Sequence, residues 1–116
     1  MSYVDGFVVP VLASNRKAYA DHAGGTAAMF KEYGASAVVE CWGDDVPEGK
    51  LTSFPLAVKC EPGEVVVFSW ITWPSRAVRD EAWKKMSDDP RMKSAPTPPF
   101  DGKRLIYGGF EVLVER

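Results

Sequence analysis

Residues 65–73 read VVVFSWITW. The run is rich in β-branched and aromatic side chains and lacks glycine and proline, which makes it the strongest strand in the chain. Working back from it, EPGE (61–64) is a Pro-Gly turn, SFPLAVKC (53–60) reads as an extra short edge strand, and DDVPEGK (44–50) is a turn. Ala35–Trp42 is a strand, and so is Tyr3–Leu12, with Pro10 placing its end at a sheet edge or bulge. Between them Ser14 is the expected N-cap of a helix reaching Tyr33, with Gly34 as its stop. Tyr19, Ala23, Thr26, Phe30 and Tyr33 fall on one face of that helix, and Gly24-Gly25 weakens its middle.

Working forward, Pro74-Ser75 opens a second helix whose inward stripe is Val78, Ala82 and Met86, and Asp89-Pro90 ends it. A proline-rich connector, SAPTPPFDGK (94–103), leads to a last strand over Leu105–Val114. The order β-α-β-(β)-β-α-β predicts an α+β fold: a ferredoxin-like antiparallel sheet backed by two helices.

The chain has 116 residues, one domain's worth, with a net charge of −2 from 14 basic and 16 acidic residues. The basic residues form no stripe, which argues against a nucleic-acid partner, since phosphate contacts need clustered positive charge. Cys41 and Cys60 lack CxxC spacing and are expected to be free thiols in a reducing compartment. The N-terminal MSYVDGFVVPV has no basic n-region, and no apolar run approaches a membrane span of about 20 residues. A cytoplasmic protein with no membrane partner is the expectation.

Alternate strand residues point to opposite faces of a sheet. One parity set, Val4, Val8, Val39, Cys41, Val67, Ile71, Ile106 and Phe110, is apolar and is expected beneath the helices. The other, Tyr3, Asp5, Phe7, Glu40, Trp42, Phe68, Trp70, Tyr107 and Glu111, is aromatic with embedded carboxylates and is expected on the open face. Such a face needs a cover. The economical cover is the same face of a second copy, which gives a homodimer with a barrel-like interior.

YVDGFVVPV (3–11), VECWGDDVPEGK (39–50), VVFSW (66–70), DPRM (89–92) and PFDGKRLIYGGFE (99–111) together resemble the YbaA-like family of small bacterial proteins. The resemblance runs nearly end to end. It implies a ferredoxin-like fold in the dimeric α/β-barrel superfamily, whose other branches include cofactor-independent monooxygenases, haem-degrading enzymes and stress-response proteins. It implies no established activity, and shared fold alone does not transfer chemistry.

Asp5 and Glu40 are the candidate catalytic residues, because a carboxyl group facing an aromatic cavity is suited to moving a proton. Each is equally suited to a structural hydrogen-bond network. Phe7, Trp42, Phe68, Trp70 and Tyr107 are candidate ligand walls or filled dimer core, and Arg91 with the FDGKR segment is a candidate cavity mouth. One histidine, His22, and two separated cysteines make no ordinary zinc site. The resemblance implies that a haem ligand would stand on the second helix, which has no histidine, so His22 is expected to be a surface or packed residue and no cofactor is assigned. YGGF (107–110) lets a backbone or a ligand approach the strand closely, or marks a bulge. Two functions fit: a binder of a small aromatic or apolar molecule, with monooxygenase-like or proton-transfer chemistry, and a non-catalytic dimeric interaction or stress-response protein with a packed interface.

Overall fold

The computed structural model describes residues 2–116. Four strands, β1 (Tyr3–Leu12), β2 (Ala37–Trp42), β3 (Glu64–Trp73) and β4 (Ile106–Glu111), form one sheet in the order β2-β3-β1-β4. Every pairing is antiparallel. Helices α1 (Arg16–Glu32) and α3 (Arg76–Ser87) pack on one face, and two single-turn helices, α2 (Phe54–Ala57) and α4 (Pro90–Lys93), sit in the connections. This is the α+β, ferredoxin-like arrangement expected from the element order.

VVVFSWITW lies in a central strand, with β1 on one side and β2 on the other. The registers Asp5↔Ile71 and Glu40↔Ser69 determine which residues share a face. Phe30, Ala82 and Met86 of the helices pack on Tyr3, Ile71 and Trp73, and Tyr19 and Ala23 pack on Val9, Val11 and Val67.

The face assignment is therefore corrected for three strands of four. Val67 and Ile71 lie under the helices and Phe68 and Trp70 lie on the open face, as expected. Asp5, Phe7, Glu40, Trp42 and Tyr107, however, share the helix-side face, and Val4, Val8, Val39, Cys41, Ile106 and Phe110 share the open one. Local parity misleads because both faces are largely apolar. Partners distant in sequence make room for a carboxylate under the helices.

Further differences are local. SFPLAVKC is not an edge strand: Ser53 accepts a hydrogen bond from the Leu56 N–H and caps α2, so the chain turns instead of extending. Its end still buries Val58 against Val8 and Val66 of the open face. Residues 13–15 form a 3₁₀ turn, which moves the cap of α1 from Ser14 to Asn15. Ser75 caps α3 as expected, accepting from the Val78 N–H at 3.2 Å. The last strand spans Ile106–Glu111, shorter than expected.

Two glycines give opposite forecasts. Gly34 has φ +115°, and an added Cβ would lie 3.0 Å from Val78, so Gly34→Ala should destabilise the protein. Gly25 is helical, with nothing within 4 Å of an added Cβ. Gly25→Ala should stabilise by about 0.5–1 kcal/mol, read from urea-unfolding midpoints of both variants beside the parent.

Candidate functional site

Asp5 is 4% exposed, near the start of β1 and beneath α3. A buried carboxylate is costly unless paired and hydrogen-bonded. Here the Trp73 and Trp83 indole N–H groups donate to Oδ2 at 2.9 and 3.0 Å, and Arg79 Nε donates to Oδ1 at 3.0 Å. Arg79 Nη2 lies 3.0 Å from the same Oδ1. The hydrogen bond to Asp5 is the largest of the influences that raise the Arg79 pKa further above its ordinary value. Its Nη1 donates to Asp80 at 2.6 Å, and the guanidinium lies 5.1 Å from the centre of the Tyr3 ring.

Gly109 pairs with Asp5 across β1 and β4, and a Cβ there would collide with Arg79 and Tyr3. The groups that approach the strand at YGGF are the Arg79 and Tyr3 side chains, where a backbone or a ligand was expected. No bulge interrupts the register from Tyr3↔Glu111 to Val8↔Ile106.

Beside this cluster opens a cleft of about 500 Å³ lined by Asp5, Phe7, Arg79, Asp80, Trp83, Leu105 and Tyr107. The Phe7 and Tyr107 rings stack at 6.4 Å with 27° between their planes. Trp83 is held edge-on by Phe30 at 5.2 Å. The cleft joins flat apolar walls to one cation.

Glu40 occupies a different place. It faces α1, where the Tyr19 hydroxyl donates to Oε1 at 2.6 Å. Burial first, and then the carboxylate, push the Tyr19 pKa well above its ordinary value, so the phenol remains a neutral donor. Trp42 points to the same side, with the Arg16 guanidinium 5.4 Å from its ring centre. Phe68 and Trp70 pack together on the open face at 5.6 Å.

The eight candidate residues thus divide into four groups. Asp5, Phe7 and Tyr107 meet in the cleft under α3, Glu40 and Trp42 meet at α1, and Phe68 and Trp70 line the open face. Arg91 belongs to none of these. Sequence reasoning missed Arg79 and Trp83 as site residues. The available signal was their i, i+4 spacing on α3, which sets a cation and an aromatic ring on one helix face. Cys41 and Cys60 are free thiols, and His22 contacts Phe100 edge-on at 6.0 Å. Among the described residues, no group of three or more His, Cys, Asp and Glu side chains could hold a metal ion, and no helix is long and apolar enough to cross a membrane.

Arg91 anchors α4 and does not form a cavity mouth with FDGKR. Its Nη2 donates to buried Asp89 at 2.8 Å and its Nη1 to Glu32 at 2.7 Å, while Tyr33 donates to Asp89 at 2.6 Å. Arg104 of FDGKR instead clasps Glu64 with two 2.7 Å bonds. The Arg91 and then the Tyr33 hydrogen bonds hold the Asp89 pKa far below the ordinary carboxylate value. Folding therefore gains from Asp89 above its unfolded pKa, about 4, and loses that gain as pH falls through the folded value. Asp89→Asn keeps a capping side chain but removes the charge. The stability gap between parent and Asp89→Asn should be widest at pH 7 and narrow steadily below pH 4, measured by urea unfolding across that range.

Comparison with known proteins agrees with this architecture. The uncharacterized protein YbaA of Escherichia coli K12 is 57% identical over 116 residues, covering 99% of both chains, and the YbaA protein of Shigella flexneri matches equally. Among solved structures, a Bacillus cereus protein described as a candidate antibiotic biosynthesis monooxygenase superposes with a TM-score of 0.58 at 13% identity, covering 99% of this chain and 96% of the other. Rv0793 of Mycobacterium tuberculosis superposes with a TM-score of 0.54 at 14% identity, covering 99% and 98%. At these identities the structural likeness establishes the fold alone. The model of DUF1428, a family of proteins of unknown function, matches residues 2–102, and the chain belongs to that YbaA-like family.

Proposed function

We propose that this protein binds a small, flat, largely apolar molecule in the cleft under α3, and that it does so as a homodimer joined through the open sheet face. The observation that carries the first part is the pairing of aromatic walls, Phe7, Trp83 and Tyr107, with a single guanidinium at one end of a cleft of about 500 Å³. Apolar walls with a few convergent polar groups are the usual form of a small-molecule site, and this volume suits one. Arg79 has five N–H donors. Those bonded to Asp5 and Asp80 leave an N–H on each of Nη1 and Nη2 for a ligand oxygen.

Binding is favoured over turnover by the state of Asp5. Oxygenation or proton transfer without a cofactor begins with a base that takes the substrate's proton. Both Asp5 oxygens already accept bonds from Arg79 and two indoles, so the carboxylate serves chiefly to aim the guanidinium. Turnover in a monooxygenase-like sense would require one indole to yield its place to a substrate hydroxyl.

The dimer follows from the open face. Phe68 and Ile106 are each 44% exposed and Phe110 is 60% exposed, beside Val4, Val39 and Trp70. Its one carboxylate on the paired strands is Glu64 at the end of β3, which Arg104 holds, so the face is more apolar than the sequence reading implied. A second copy set against it would bury the apolar surface of both sheets. Sedimentation should show a dimer at micromolar concentration; a well-folded monomer there would overturn this part.

The ligand test uses freshly purified protein and 2-naphthol as the probe. Native mass spectrometry should reveal a small co-purified molecule, or titration with 2-naphthol should shift the Trp83 indole NMR signal. Trp83→Ala should weaken probe binding at least about tenfold while leaving the assembly unchanged. Binding that is indifferent to Trp83→Ala, or absent at millimolar probe, would sink the reading.

A further inference from the structure

The groove between α1 and β2 is distinct from the cleft under α3 and unused by it. Where α1 faces β2 its side chains are small: Ala20, Ala23, Gly24 and Ala27 line a hollow of about 390 Å³ together with Val38 and Val67. An added Cβ at Gly24 would meet nothing within 4 Å. A seam between helix and strand is normally filled by interdigitating side chains. This one is left open, and the open volume ends at two groups that both favour a cation.

The first is Glu40. The buried Tyr19 hydroxyl holds Oε1 at 2.6 Å, and among the described residues Oε2 accepts no hydrogen bond. Tyr19 stays protonated as a donor and so fixes the orientation of the carboxylate. The second is Trp42, whose ring face already carries a cation: Arg16 lies 5.4 Å from the ring centre. Arg16 is exposed and, among the described residues, pairs with no carboxylate. The groove draws a cation from the chain itself and holds it by a contact worth only about 0.5–1 kcal/mol at an exposed site.

We propose that this groove is a second ligand site and that it takes a small primary amine. The ammonium group bonds the uncovered Glu40 oxygen, and the hydrocarbon body lies on the Ala/Gly floor against Trp42, displacing Arg16 from the indole. An ammonium group supplies three donors and a positive charge to an acceptor-only carboxylate. An aromatic ring beside a carboxylate is a suitable receptor for such a cation. The hollow of about 390 Å³ has room for a small amine once Arg16 leaves the indole.

The inference stands apart from the proposed function, because its residues share nothing with the cleft under α3. Phenethylamine is the probe and 3-phenylpropionate, of the same shape with opposite charge, is the control. Titration of the intact protein should shift the Trp42 indole NMR signal with phenethylamine and leave it still with 3-phenylpropionate. Glu40→Gln should weaken amine binding at least about tenfold. Arg16→Ala should leave amine binding unchanged or tighten it, since the variant removes the competing cation. Gly24→Leu, which fills the floor from a helical position, should abolish binding while α1 stays folded by circular dichroism. Preference for the carboxylate probe, loss of amine binding in Arg16→Ala, or equal amine affinity in Glu40→Gln would each overturn the proposal. So would a shift confined to the Trp83 indole, which would assign the amine to the other cleft.

Discussion

One buried carboxylate organises this molecule. Asp5 sits near the start of a central strand, almost without solvent, and is made tolerable by Arg79, Trp73 and Trp83. Those donors come from the end of β3 and from α3, separated from Asp5 by 68 to 78 residues in sequence. Because a one-residue slip moves every side chain to the other face, Asp5 also specifies which face of β1 lies under the helices. On the open face the same carboxylate would lie against Trp70 and Phe110 of the neighbouring strands without its cation. The ion pair contributes choice of register more than net stability, since a buried pair roughly breaks even against well-packed apolar residues.

From that constraint the rest of the architecture follows. Arg79 needs space across the sheet, and Gly109 provides it where any Cβ would collide. With Arg79 aimed by Asp5, Trp83 one turn later along α3 closes one wall of the cleft, and Phe7 and Tyr107 supply the sheet side. The helix-facing side of the sheet thus carries the polar chemistry, in two separate hollows. The open side carries almost none and is suited to association. This division reverses the one expected from strand parity alone.

Element order, the capping of α3 at Ser75, and the central place of VVVFSWITW were legible in the sequence because each depends on neighbours within a turn or a strand. SFPLAVKC was misread because a single capping hydrogen bond from the Leu56 N–H outweighs a short apolar run. The faces of β1, β2 and β4 were illegible for a different reason. Val8 and Val9 are both buried on opposite sides of one strand, so hydrophobicity did not discriminate between the parities. Glu40 was recognised as a chemical group, but its partner Tyr19 was visible only as a member of the buried helix stripe. Pairing the two requires knowing that β2 lies under α1.

The most direct test of the account is a double-mutant cycle on Asp5 and Arg79, with Asp5→Asn, Arg79→Gln and the double variant unfolded by urea beside the parent. If the carboxylate and the guanidinium hold one another in place, each single variant should be strongly destabilised. The double variant should recover much of that loss, with a coupling energy of about 2 kcal/mol or more. Losses that add to within about 0.5 kcal/mol would show that Asp5 and Arg79 act independently and would contradict the central claim.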